Sequence, residues 1–321
     1  MARFSVVIPL YNKEQTIERA IRSVLNQTFQ DFEIIVVNDG STDRGPKIVE
    51  ANGDGRTRII HQENKGVSAA RNRGISEARA ELIAFLDADD EWKPEFLETI
   101  MGLRSNFPQA NVFATSYIFC DGNEAYSASC INGITNHPWE GILENYFDIA
   151  TKSDPPLWTS AVAVTKTAIT LIGGFPVGVK NGEDLLTWAK LAIRYQIAYS
   201  TLPSAVYRRA DIDTRLSRCD NTVDVVGREL ERLLQKTKGL KQQHLRNYIS
   251  LWHKIRASIF LQIGDRARAL YEISQSARYS KMTPKLCAYR ICALMPTFLN
   301  RHVIRCVFSV YHALVRTSRR I

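Results

Sequence analysis

Short apolar runs alternate with amphipathic stretches through the first hundred residues. Residues 4–9, 32–37, 57–62 and 82–86 are apolar enough, and short enough, to be buried strands. Between the first two, Ile17, Ala20, Ile21, Val24 and Leu25 recur at helical spacing, and Asn12 with Gln15 reads as a capping box ahead of them. Asn38-Asp39-Gly40-Ser41 is a strong turn signal, with a short helix expected after it. Residues 66–78 fit a further helix, with Val67, Ala70, Gly74, Ile75 and Ala78 on one side. Strand–helix alternation at this pitch predicts an α/β fold with a mostly parallel, doubly wound sheet flanked by helices.

From 105 to 156 the pattern blurs: 112–119 reads as a strand, and the rest is irregular up to Pro155-Pro156. Order returns with a strand over 160–164, a helix over 166–172, the breaker Gly173-Gly174-Phe175-Pro176, a helix over 183–195 and a short strand over 197–200. Beyond 209 the chain becomes helical and basic. Tyr248, Trp252, Ile255, Ile259 and Ile263 share a helix face, Gly264 suits its C-cap, and Asp265 caps another helix to about Tyr279. The final segment places Val303, Ile304, Val307, Phe308, Tyr311, Leu314 and Val315 in one stripe, opposite Arg301, Arg305, His312, Arg316 and Arg319.

A chain of 321 residues accommodates one large domain and a smaller one. The net charge of +9 is unevenly placed. From 239 onward fifteen Lys/Arg face two acids, a net of +13, so residues 1–238 carry a net of −4. A basic tail on a mildly acidic body points to an anionic partner for the tail. The six cysteines form no CxxC pair, as expected of reduced thiols in a cytosolic protein. The strand-like run beginning at residue 4 leaves no room for a signal peptide, and no apolar run of about 18 residues predicts a membrane span.

The stretch 82–90, Leu-Ile-Ala-Phe-Leu-Asp-Ala-Asp-Asp, holds the candidate chemistry. Bare carboxylates are costly to bury, so Asp87, Asp89 and Asp90 belong at a strand's carboxyl end, where open α/β sheets bind ligands. Hard divalent cations take one or two such carboxylates together with substrate phosphates. A solvated loop of helix-capping aspartates is the competing reading. Asp39 follows the second strand, where a carboxylate accepts from a base or ribose, or merely closes a turn. Lys65 and Arg71 border the helix opening at Gly66 and can meet phosphate; Glu183 and Asp184 open a helix after Gly182, as a general base or as ordinary first-turn acids. There is no GxxxxGK[ST], no GxGxxG and no HExxH.

In combination these segments resemble the family 2 glycosyltransferases. The match runs through Val6-Val7-Ile8-Pro9-Leu10-Tyr11-Asn12, Val37-Asn38-Asp39-Gly40-Ser41-Thr42-Asp43, residues 64–72 from Asn64-Lys65-Gly66 to Arg71-Asn72, Phe85-Leu86-Asp87-Ala88-Asp89-Asp90 and Gly182-Glu183-Asp184, in order and interval. The resemblance implies a GT-A, Rossmann-like domain over 1–208, with a nucleotide-sugar-binding half (1–104) and an acceptor and catalytic-base half (105–208), followed by a basic helical region over 209–321. It implies that Pro9, Tyr11 and Glu14 line the nucleotide pocket and that Asp39 bonds a uracil-type base. Lys65, Arg71, Asp87 and Ala88 would complete the donor site, and Asp89 would ligate Mn²⁺ or Mg²⁺. Asp184 would be the catalytic base, supported by Glu183, in a single inverting displacement.

The expected partners are a nucleotide-sugar donor, a glycan or lipid-linked acceptor and, through the basic C-terminal helix, an anionic membrane surface; no nucleic acid is expected. The expected location is cytoplasmic, with peripheral contact at the inner face of the membrane left open. Processive members of the family carry membrane helices and a Q/R-x-x-R-W motif after the base. Neither is present, which favours transfer of one or a few sugars. A non-catalytic nucleotide-sugar-binding protein on the same scaffold is the alternative.

Overall fold

The computed structural model describes residues 2–120, 125–131, 134, 138–208 and 224–295. The chain divides into two compact units, 1–210 and 211–321. The first is built on strands β1 (Phe4–Leu10), β2 (Phe32–Asp39), β3 (Thr57–Gln62), β4 (Leu82–Phe85), β5 (Glu91–Trp92), β6 (Val112–Cys120), β7 (Tyr126–Ala128), β8 (Glu140–Ile142), β9 (Val162–Thr165) and β10 (Ile197–Arg208). Its helices are α1 (Ile17–Leu25), α2 (Gly45–Asn52), α3 (Val67–Glu77), α4 (Phe96–Asn106), α5 (Tyr146–Lys152), α6 (Lys166–Leu171) and α7 (Glu183–Arg194).

These strands form one sheet in the order β3-β2-β1-β4-β9-β6-β10-β5, with β7 on β6 and β8 on β10. The long ladders, β1–β2, β2–β3 and β6–β10, are parallel, as is β1–β4. The expected α/β class with a mostly parallel sheet is therefore the observed one. β1 and β2 are buried at every position, the signature of parallel strands covered on both faces. α3 lies so close to β1 that a Cβ on Gly74 would come within 2.3 Å of Val7 Cγ1. Only glycine permits that approach, which overrides its poor helix propensity.

Three local expectations are corrected. The capping box does not form: Asn12 takes the left-handed φ of 50°, its Oδ1 accepts from the Thr42 N–H at 2.8 Å, and Thr16 holds the N-cap position of α1 without a side-chain capping bond. The strand expected over 112–119 is present as β6, and the described residues of 105–156 hold β7, β8 and α5 besides, where no elements were expected. β10 does not stop at 200; after a register shift near Pro203 it continues beside β6 to Arg208.

The second unit contains α8 (Val225–Lys236), α9 (Gly239–Ile263), α10 (Arg266–Tyr279) and α11 (Pro284–Leu294). Gly264 ends α9 at φ 85° and the Asp265 carboxylate caps α10 by accepting from Arg268 N at 3.0 Å, both as expected. The buried face of α9 differs from expectation. Tyr248 and Trp252 are buried, but Ile255 and Ile263 are 37% and 41% exposed. The interior stripe runs instead through Ala257, Phe260 and Leu261, which pack with Ile273 of α10 and Leu286 and Tyr289 of α11. No described helix is long and apolar enough to cross a membrane. The stripe from Val303 to Val315 lies outside the described residues.

Candidate active site

β4 delivers its carboxylates to the carboxyl edge of the sheet, and each then takes a different direction. Leu86 and Ala88 point into the core, and the Asp90 N–H closes a turn onto the Asp87 carbonyl at 3.0 Å. Asp90 turns inward and is 1% exposed. Its Oδ2 accepts from Ser160 Oγ at 2.6 Å and Trp158 Nε1 at 3.2 Å, and its Oδ1 from Arg208 N at 3.0 Å. Burial, then the charges of Asp89 and Asp87, push the Asp90 carboxyl well above the usual carboxylate range. Ser160 also accepts from the Asp87 N–H at 3.1 Å, so it fixes both ends of the turn.

Asp87 faces Arg71, which α3 carries beneath the site. Arg71 Nη2 donates to Asp87 Oδ1 at 2.7 Å and Nη1 donates to Glu183 Oε1 at 3.4 Å. The guanidinium is buried and lies 5.1 Å over the Phe175 ring, within an aromatic cluster of Phe85, Phe175 and Trp188. Desolvation opposes its charge, but Asp87 and then Glu183 outweigh it, so its pKa is raised. Gly182, at φ 78°, turns the chain into α7 so that Glu183 and Asp184 occupy the first helical turn. Asp184 Oδ1 accepts from Leu185 N at 2.7 Å. Burial first, and then Asp184, raise Glu183 from 4.5 to about 7 despite Arg71. Burial likewise raises Asp184. One guanidinium, nearer to Asp87, does not neutralise three carboxylates.

Asp89 points outward, 30% exposed, with Lys13 Nζ 2.6 Å from its Oδ2. Lys13 is that side chain's partner among the described residues. The donor set fits a hard divalent cation: Asp89 is an accessible carboxylate at the sheet edge, and the remaining ligands of such an ion are normally phosphate oxygens and water. Asp87 and Asp90 are committed to protein donors.

The other expected residues are more dispersed. Asp39 is 3% exposed; Gln62 Nε2 and Lys65 N donate to its Oδ1 at 2.7 and 2.9 Å, and Gly66 N donates to its Oδ2 at 2.8 Å. It fastens the loop before α3 and keeps capacity for about one more donor. Lys65 meets Asp39 through its backbone, and its side chain is exposed. Glu14 accepts from Arg44 N and Nε at 3.0 and 3.3 Å. Tyr11 is 49% exposed, whereas Pro9 and Ala88 are buried and offer a ligand only backbone. Direct contact thus joins Arg71, Asp87 and Glu183, while Asp39 ends β2 and Glu14 lies in the loop before α1. Lys13, Ser160 and Trp158 escaped the sequence reading, because their partners lie 68 to 76 positions away.

Residues 5–156 match the family model described as glycosyl transferase family 2. EpsH of Bacillus subtilis (strain 168) is 46% identical over 148 residues, covering 45% of this chain and 42% of that protein. The glycosyltransferase GlyG of Streptococcus pneumoniae serotype 4 is 46% identical over 99 residues, covering 30% of this chain and 33% of its own. The matches thus span less than half of those relatives. Among solved structures, S. aureus TarS 1-349 aligns over 91% of this chain and 90% of its own, with a TM-score of 0.60 and 16% identity. The mannosyltransferase PcManGT of Pyrobaculum calidifontis, solved with GDP-Man and Mn²⁺, covers 94% of this chain and 84% of its own, with a TM-score of 0.57 and 17% identity. Sequence match and fold agree: residues 5–156 are similar to glycosyl transferase family 2, and the chain shares the GT-A fold of these solved structures.

Proposed function

We propose that this protein is an inverting glycosyltransferase that moves a sugar from a nucleotide-diphosphate sugar, a UDP-sugar by preference, to an acceptor hydroxyl of a glycan or lipid-linked saccharide. The observation that carries the reading is the Arg71 bridge. It holds a carboxylate from the end of β4 and one from the start of α7, 96 positions later, in a single part-buried cluster around a buried guanidinium. TarS has been solved with UDP and with UDP-GlcNAc, which supports a nucleotide-sugar donor of this class.

In this reading the sugar's C1–O bond to the diphosphate breaks as the acceptor oxygen bonds to C1 from the opposite face. Asp184 takes the hydroxyl proton, a contribution on the order of 10²–10⁴-fold. Its raised pKa makes it a better proton acceptor than an exposed carboxylate. Glu183 shares the local charge, Asp87 is held by Arg71 toward the donor ribose, and Asp39 accepts from the base with its remaining capacity. Pro9, Tyr11, Glu14 and Lys65 border the nucleotide, Tyr11 through its exposed ring. Asp89 would hold Mn²⁺ or Mg²⁺, which when bound offsets charge developing on the diphosphate.

The test is release of UDP from a panel of UDP-sugars, with and without Mn²⁺, with GDP-mannose as comparator. Release by the wild-type chain that is lost in Asp184→Asn supports the reading. Tight nucleotide-sugar binding with no release under any acceptor would favour the non-catalytic alternative.

A further inference from the structure

Lys13 has a defined place in this site that the family resemblance does not assign. Its ammonium lies 2.6 Å from Asp89 Oδ2, on the carboxylate proposed above to take the divalent cation. The two backbones that carry this pair are both fixed. Around Lys13, Asn12 N donates to Ser41 Oγ at 3.1 Å, Asn12 Oδ1 accepts from Thr42 N at 2.8 Å, and Glu14 N donates to Asp43 Oδ2 at 2.8 Å. The Lys13 carbonyl accepts from Thr16 N and Ile17 N at 3.1 and 3.0 Å. The Asp89 carbonyl accepts from Arg19 Nη2 at 3.1 Å. Neither loop can shift without breaking several bonds. The side chain of Lys13, about 31% exposed, rotates on a flexible four-carbon stem.

We infer that Lys13 is the resident counter-ion of Asp89: it occupies the cation position in the metal-free protein and must release Asp89 before a divalent cation binds, turning then to the donor diphosphate. Two considerations support this. A cation ligated by Asp89 at about 2.0–2.2 Å would stand beside an ammonium already in contact with the same carboxyl group, and the like charges repel strongly at that range. The ammonium, once displaced, needs an anion, and the one that arrives with the metal is the diphosphate. Metal and donor are therefore taken up in concert, and the nucleotide-free protein binds the metal weakly.

The inference rests on the proposed donor site, and the experiment separates the two. Mn²⁺ is titrated into the full-length wild type and Lys13→Met, with unbound Mn²⁺ read by electron paramagnetic resonance, in the absence and presence of UDP. Without UDP, Lys13→Met is expected to bind Mn²⁺ roughly tenfold more tightly, because one like charge has gone. With UDP the advantage is expected to vanish or reverse, because the diphosphate has lost its ammonium partner. Equal Mn²⁺ affinity without UDP, in proteins that both bind Mn²⁺ with UDP, overturns the role of Lys13 and leaves the donor site standing. Failure of the wild type to bind Mn²⁺ even with UDP overturns both. Asp89→Asn in the Lys13→Met background must abolish the gain; a gain that persists puts the metal elsewhere and also overturns the inference. Lys13→Gln serves as a second variant should the methionine protein not fold.

Discussion

Arg71 Nη2 donates to Asp87 Oδ1 at 2.7 Å from a position that solvent barely reaches. The guanidinium is the electrostatic centre of the site, since its other arm reaches Glu183. Removing one partner of a buried ion pair leaves the other charged and desolvated, at a cost of about 3–5 kcal/mol. Arg71→Met is therefore expected to lower unfolding free energy by about that amount in urea denaturation. Arg71→Lys keeps the charge but lacks the planar fork that reaches two carboxylates, so it should recover only part of the stability and of the turnover.

Glu183 gives the site a pH dependence with a definite sign. Its carboxyl binds a proton more tightly in the folded protein, at about 7, than at its ordinary 4.5. Between those values the folded state holds the extra proton, so this contribution is complete below about pH 4.5 and is lost as pH rises through about 7. Glu183→Gln removes the dependence. Urea unfolding of both proteins from pH 4.5 to 8 should show the wild type losing up to about 3 kcal/mol relative to the variant across that window. Parallel curves would show that Glu183 titrates as an ordinary carboxylate.

Asp90 is the turn's anchor rather than a ligand, and its substitution should read differently from that of Asp89. Asp90→Ala strands the Ser160 hydroxyl, the Trp158 indole N–H and the Arg208 amide. Unpartnered buried donors cost about 1–3 kcal/mol each, so a drop in thermal stability should accompany any loss of turnover. Asp89→Ala removes a part-exposed carboxylate whose partner among the described residues is Lys13. It should leave stability within about 1 kcal/mol of wild type while abolishing metal-dependent donor binding.

A fourth prediction addresses the helical unit by itself. Glu272 is 1% exposed and bridges His253 Nδ1 and Arg256 Nε, each at 2.7 Å. Asp224, His253 and Glu272 present donor atoms within 4.8 Å of one another, the one such grouping among the described residues. Arg256 already supplies the positive charge there, and the Trp252 indole N–H donates to Asp224 at 3.1 Å. Glu272→Ala should cost about 3–5 kcal/mol, and adding Zn²⁺ or Mn²⁺ to the wild type should not raise its melting temperature through this unit.

What the sequence disclosed follows how local each signal is. The placement of Asp87, Asp89 and Asp184 at element ends is legible because a buried strand or a helix start lies immediately beside them. The parallel half of the sheet was legible for the same reason. The insertion of β9 between β4 and β6 was not, since it depends on pairing Leu82 with Thr165 and Val112 with Val164, with no periodicity to announce it. Ser160 is an ordinary hydroxyl until the fold places it on Asp90. Ile255 and Ile263 continue a helical stripe in sequence, but neighbouring helices cover the adjacent face through Phe260 and Leu261. Asn12 looked like a cap because its amide side chain suits one; the fold spends that amide on Thr42.

Asp184→Asn separates binding from chemistry. Asp184 enters from α7, whereas Asp39, Asp87 and Asp89 come from the ends of β2 and β4. Its proposed task starts only when an acceptor hydroxyl attacks, so it contributes little to holding the donor. Asparagine keeps the side chain's size and its acceptor for Leu185 N, but does not take a proton at neutral pH. Donor affinity should stay within a few-fold of wild type while single-turnover transfer falls by roughly 10² or more, the pattern of a lost general base. Loss of a first-turn charge accounts for only about 0.3–1 kcal/mol of stability, so a larger drop in melting temperature would signal a packing effect. Loss of donor binding would instead move Asp184 into the nucleotide site. Unchanged turnover would remove it from the mechanism and leave Glu183, raised to about 7, as the group to test next.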